Sequence, residues 1–255
     1  MLWDASAILG YSIEASDGSL GTVNDFLFSD DSWRIRWLVV DTGNWLSGRK
    51  VLLHPSALGQ PDPALRQFPV NLTKRQVKGS PDISTDQPVS RQMESYLYDY
   101  YGWDPYWTSS HFGTGAIATP FVLPLYQAET ELRDPGTVDL QSKDDDPHLR
   151  SIEAVTGYHV HAIDGEIGHV EDLIIEDAGW SVRYIKIDTR NQWPESRVLI
   201  SPRAIRKIDW KGRLVYLDVN RQRVQNSPPY DPSTTVDGAY DETFLTYYGI
   251  RWVQP

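Results

Sequence analysis

The chain has 255 residues, a net charge of −11 and no cysteine. That length suits one or two domains, and the acidic balance argues against a nucleic-acid or anionic-membrane surface. Without cysteine there are no disulfides, no thiolate metal site and no cysteine nucleophile.

In chain order, Ile8-Leu-Gly-Tyr-Ser-Ile13 reads as a strand, followed by an Asp17-Gly18 turn. Asp-Gly between alternating apolar positions is a strong hairpin signal, because glycine supplies positive φ. Leu20–Phe28 is a second strand, with Gly21 near its start marking a candidate bulge. The organising strand runs from Trp33 to Asp41. Strict alternation puts Ile35, Trp37 and Val39 on one face and Arg34, Arg36, Leu38 and Val40 on the other. Lys50–His54 is a fourth strand and Gln67–Leu72 a fifth, placed at an edge because Pro69 cannot donate to a ladder. Thr73–Val77 is a short helix with Thr73 as N-cap. Residues 90–102 form a helix with apolar positions at 93, 96, 97 and 100, and Gly102 stops it.

Much of this returns 147 residues later. Gly10-Tyr11 becomes Gly157-Tyr158, Asp17-Gly18 becomes Asp164-Gly165, and Gly21 becomes Gly168. Trp33, Asp41-Thr42 and Tyr100-Tyr101-Gly102 return as Trp180, Asp188-Thr189 and Tyr247-Tyr248-Gly249. So long a period makes each copy a domain rather than a solenoid unit. The expected strands of the second copy are 157–162, 166–175, 180–188, 197–200 and 214–219, with a helix over 240–249. Residues 1–103 and 150–255 are therefore read as two domains. Residues 104–149, rich in Gly, Pro, Ser and Thr and ending in Asp144-Asp-Asp146, are read as an irregular linker. Several short strands separated by turns predict a mainly β fold of two small antiparallel barrels, each followed by a helix.

Candidate chemistry is sparse. His159 and His161 share one face of a strand and His169 sits on the next, so imidazoles could converge on a metal. A solvated strand edge is the plainer reading. Asp25, Asp172, Asp41 and Asp188 are kept in both copies. Paired carboxylates can act as acid and base, for instance Asp172 with His169, but Asp at strand ends more often fixes a turn. Arg36 and Arg183 could grip an anion or pair with Asp25 and Asp172 across neighbouring strands. Tyr100, Tyr101, Trp103, Tyr106 and Trp107, with Tyr247, Tyr248 and Trp252, form aromatic clusters. These either cap the barrels or stay exposed as partner-binding hot spots.

The patterns Gly-Tyr, Asp-Gly-x-x-Gly-x-Val-x-Asp and Trp-x-x-Arg-Tyr/Trp-Ile/Leu-x-Ile/Val-Asp-Thr resemble the PRC-barrel family over residues 5–80 and 152–225. That family includes the cytoplasmic domain of the photosynthetic reaction-centre H subunit and the C-terminal domain of a ribosome maturation factor. Residues 152–202 are most similar to its stand-alone bacterial members. The resemblance implies a small barrel used as an adaptor or assembly module, with no catalytic residues and no cofactor to carry over.

The expectation is a non-enzymatic adaptor that binds an unidentified protein through its barrels and aromatic helices. The alternative is a small-ligand or metal-sensing module using the inter-barrel cleft or His159, His161 and His169. The start of the chain lacks a secretory signal pattern, and no apolar run approaches the roughly 20 residues of a membrane span. The expected location is the cytoplasm, as a monomer with an internal pseudo-dimer or as a homodimer.

Overall fold

The computed structural model describes residues 1–81, 89, 91–105, 148–190, 193, 197–228, 230 and 238–248. The first half carries β1 (Leu2–Asp4), α1 (Ala5–Ile8), β2 (Ser12–Ala15), β3 (Gly18–Ser29), β4 (Ile35–Asp41), β5 (Lys50–Leu53), β6 (Gln67–Pro69), α2 (Lys74–Lys78) and α3 (Arg91–Tyr101). The second carries β7 (Leu149–Ser151), α4 (Ile152–Val155), β8 (His159–Ala162), β9 (Gly165–Glu176), β10 (Ser181–Asp188), β11 (Arg197–Ile200), β12 (Ile205–Asp209), β13 (Leu214–Leu217), α5 (Arg221–Gln225) and α6 (Gly238–Tyr248). The fold is mainly β, in two similar units each followed by short helices. Residues 106–147, nearly all of the expected linker, lie outside the described residues, as do Tyr106, Trp107 and Trp252.

The first sheet is ordered β5-β4-β3-β2-β6 and the second β11-β10-β9-β8-β13-β12. Neither is purely antiparallel, because β6 runs parallel to β2 and β13 parallel to β8. In the first unit no ladder of described residues joins the edge strands β5 and β6, so the sheet is wrapped but open. Pro55 ends β5 in a 3-10 turn, and the chain then meets the far edge through isolated bridges, Leu58 with Val70 and Asp62 with Gln67.

The sheets are completed by exchange. Strand β1 pairs with β9 of the second unit, with Trp3 opposite Ile175. Strand β7 pairs with β3 of the first, with Phe28 opposite Arg150. These two pairings are equivalent under the 147-residue repeat. Each long strand is twelve residues long and so has room for three neighbours along its length. A third link is symmetric too. The amide of Ile35 donates to the Trp180 carbonyl and that of Val182 to the Trp33 carbonyl, both at 2.7 Å. Both tryptophans were expected to begin their strands. Instead each sits at left-handed φ, 57° and 48°, just before it. That backbone costs roughly 1–2 kcal/mol for a non-glycine residue, and it aims the carbonyl at the other unit. The Trp180 ring then packs against Phe68 and Phe26 of the first unit, at 5.7 and 6.5 Å. Inward-facing residues of both sheets form one continuous hydrophobic core.

The organising strand departs from strict alternation. A bulge falls between Trp37 and Ile35, and another at the equivalent place between Tyr184 and Val182. The extra residues are Arg36 and Arg183. One extra residue reverses the side-chain order, so Ile35 joins Leu38 and Val40 in the shared core. Trp37 and Val39 face a second cluster with Leu52, Leu97, Tyr98 and Leu149. The helix α3 covers that second face. Its buried positions are Glu94, Leu97 and Tyr98, with Tyr101 half-buried; of the expected 93, 96, 97 and 100, Leu97 is buried and Met93 half-buried, while Tyr96 and Tyr100 are exposed.

Gly21 and Gly168 sit beside a further pair of equivalent bulges. Their φ values are +144° and +142°, and a Cβ at either would collide with the carbonyl oxygen of Asp41 or Asp188. No flexible side chain can yield there. Gly21→Ala and Gly168→Ala are each expected to cost about 2–4 kcal/mol, because positive-φ strain and a backbone clash add. Gly10→Ala, at φ +75° but facing open space, should cost about 1–2 kcal/mol. Urea unfolding of the three variants measures the difference.

Candidate functional site

The carboxylates kept in both copies act at two different places. Asp25 lies on β3 and accepts hydrogen bonds from the Ser151 hydroxyl and, at 3.2 Å, from the Glu153 amide of α4. Asp172 lies on β9 and accepts from the Ser6 hydroxyl and, at 3.3 Å, from the Ser6 amide of α1. Each carboxylate thus clamps the first turn of a short helix that follows the strand donated by the other unit. Burial raises the pKa of both, and the serine and amide hydrogen bonds oppose that shift. Asp41 and Asp188 instead close turns after their strands, accepting from the amides of Gly43 at 2.8 Å and Arg190 at 2.9 Å. The Arg190 guanidinium also pairs with Asp188 and holds its carboxyl well below the usual range, at about 2.

Arg36 and Arg183 do not sit opposite these aspartates. Asp25 is opposite Val39 and Asp172 is opposite Lys186, so each arginine, at its bulge, is displaced along the strand. Arg36 donates to Ser32 and lies close enough to His54 to disfavour its protonation. Lys186 takes up the place beside Asp172 in the second unit. It is 8% exposed and its ammonium lies 2.8 Å from Asp4 of the exchanged strand. The first unit has apolar Val39 at that position.

The three histidines do not converge. His159 is opposite His169 in the ladder, but its Nδ1 engages Glu166 at 2.8 Å. His161 packs against Tyr216. His169 Nε2 lies 4.0 Å from Asp188, not beside Asp172. His159 and His161 do share the outer face of β8, alternating with buried Val160 and Ala162, but each ring is engaged by a different neighbour. Among the described residues no group of three His, Asp or Glu side chains is arranged to hold a metal ion. The line where the units meet is filled by the exchanged strands and by the Trp180, Phe26 and Phe68 rings.

The aromatic residues divide between packing and exposure. Trp37, His54, Tyr98 and Trp103 form a cluster with all ring centroids within 6.5 Å of one another. Tyr101 stacks on Trp103 at 4.2 Å. The Trp37 indole donates to Glu94 at 2.7 Å, which explains a fully buried carboxylate inside an apolar helix face. No periodicity argument finds that residue; a Trp on the facing strand is the only signal for it. In the second unit Phe244 packs on Tyr184 and Tyr248, and burial pushes the Tyr248 hydroxyl up to about 12. Tyr100 and Tyr247 each donate to a main-chain carbonyl, Gln76 and Arg223, at 2.8 and 2.7 Å. These are equivalent contacts that tie the long helix to the preceding short one. On α3, Tyr96 and Tyr100 remain 44% and 43% exposed, one turn apart.

Residues 4–60 match the PRC-barrel domain. That span covers β1 to the turn after β5 and lies wholly in the first copy. The second copy is tied to it by the repeat and by bulges at equivalent positions. An uncharacterised protein of Deinococcus radiodurans is 39% identical over 74 residues, 29% of this chain. The chain spans 26% of that protein's length. No helix among the described residues is long and apolar enough to cross a membrane.

His54 gives the aromatic cluster a pH signature. Burial, and then the Arg36 charge, lower its pKa from 6.5 to about 4. The folded state therefore holds a neutral imidazole. Its contribution is complete above pH 6.5, and stability is lost as pH falls from 6.5 towards 4 and the unfolded chain takes up the proton. The loss between pH 7.5 and 4.5 is expected to be about 2 kcal/mol. His54→Gln should remove that part of the pH dependence, read by urea unfolding at the two pH values.

Proposed function

We propose that this chain is a non-enzymatic binding module that holds a partner protein on the outer face of its aromatic helices. The observation that carries the reading is α3. Its inner face is anchored by Glu94, Leu97 and Tyr98, while Tyr96 and Tyr100 stand outward one turn apart. A rigid helix presenting two tyrosines offers large contact area at little entropic cost, as binding hot spots do. The Tyr100 hydroxyl is already held by Gln76, so its ring is pre-positioned.

The match of residues 4–60 to the PRC-barrel domain supports the same reading through that family's frequent use as an interaction module. So does the use of the conserved-in-both-copies carboxylates. Asp25 and Asp172 clamp exchanged segments through a serine hydroxyl and an amide each, and Asp41 and Asp188 close turns, so all four have structural uses. Pulldown from the native host with the intact chain should return a specific partner that a folded Tyr96→Ala, Tyr100→Ala variant loses. Circular dichroism confirms the fold of the variant. The same proteins retained by both would overturn the α3 surface.

A further inference from the structure

The two copies differ sharply at one edge. In the second unit, the 3-10 turn Pro202–Ala204, β12 and the turn after it carry Arg203, Arg206, Lys207, Lys211 and Arg213, and all five are exposed. The sequence over 203–213 has Asp209 as its single acidic residue, and Asp209 accepts the Gly212 amide at 2.9 Å to shape the turn. The equivalent stretch of the first unit has Ser56, Gly59, Gln60 and Ala64 at four of those positions. Arg213 alone has a basic counterpart, Arg66, and both stack over a tyrosine, Tyr158 and Tyr11, at 5.3 and 5.0 Å. Arg213 is therefore a packing residue in both copies, and the other four cations are particular to the second. They stand on a chain whose net charge is −11.

The scaffold under these charges is rigid. Trp210, at the hairpin turn, is covered by the Arg150 guanidinium at 4.4 Å and its carbonyl accepts from the Tyr158 hydroxyl at 3.3 Å. Strand β12 ends the sheet order, so among the described residues its outer side has no neighbouring strand. The first unit treats the same place differently, with Pro61 and Pro63 and only isolated bridges. Charge on an edge strand ordinarily guards against pairing with other copies. In an acidic chain, anionic side chains would give that protection without reversing the local sign. Four extra cations do more, because they favour a partner of opposite charge and draw it in.

We propose that the β12–β13 hairpin is a docking site for an extended acidic segment of a protein. Its side chains meet Arg203, Arg206, Lys207 and Lys211, and its main chain lies along the open side of β12. A nucleic-acid strand shares the charge, but the net charge of −11 on the chain disfavours a long polyanion. The site is separate from Tyr96 and Tyr100, so its failure leaves the α3 reading standing, and the reverse holds.

The test uses the full chain and a fluorescein-labelled peptide of alternating Glu and Val, with fluorescence anisotropy as the readout. Saturable binding is expected at low ionic strength, weakening strongly at about 0.5 M salt. Arg206→Glu with Lys207→Glu, both at exposed positions, should weaken it at least about tenfold. Arg75→Glu with Lys78→Glu, on the other unit, should leave it unchanged. Equal loss in both variants, no binding, or stronger binding of an oligothymidylate of matched charge would each overturn the proposal.

Discussion

Two three-residue strands, each built into the sheet of the other half, hold this molecule together. Without β1 the second sheet lacks a neighbour along the end of β9, and without β7 the first lacks one along the end of β3. Unpaired main-chain groups beside a core are costly, so each half completes the other. The exchange is locked at its ends. Asp25 and Asp172 clamp the first turns of α4 and α1, and the left-handed Trp33 and Trp180 exchange main-chain hydrogen bonds across the middle. Burial raises the pKa of both carboxylates, and the serine and amide hydrogen bonds oppose that shift. Their hydrogen bonds to the neighbouring helix turn are what make that arrangement tolerable.

Much of this was readable from residues. The 147-residue repeat, the Asp-Gly hairpins, the Thr73 cap and the stop at Gly102 are local signals, and each appears where its chemistry puts it. Thr73 even completes a capping box with Gln76. The exchanged strands were not readable, because three residues such as Leu2-Trp-Asp4 carry no period and their partners lie at least 120 residues away. The facing of Ile35 was misassigned for a related reason. A bulge at Arg36 inserts one residue into the pleat, and alternation cannot see an insertion that leaves the apolar content unchanged. The helix face of α3 differs because the reading rested on apolar positions alone, whereas Trp37 supplies Glu94 with a buried donor.

The candidate site was less legible than the fold. The aromatic residues stand out in the sequence as a group, but on α3 their division into packed and exposed members depends on helix rotation, which Glu94 sets. The histidines share a strand face as the spacing implied, but Glu166, Tyr216 and Asp188 engage them one by one, and strand spacing does not reveal those partners. The basic edge at 203–213 is plain in the sequence only once the two copies are compared position by position on the sheet. Symmetry accounts for what the copies share, and the departures from it set them apart. Val39 becomes Lys186, paired to Asp4, and a proline-guarded edge becomes a cationic strand.

The central claim is that exchange makes the two units one cooperative body. Differential scanning calorimetry of the full chain tests it most directly. A shared core and reciprocal strands predict a single transition whose calorimetric and van't Hoff enthalpies agree. Two separable transitions, one for each half, would show that the exchanged strands do not couple them and would contradict the account.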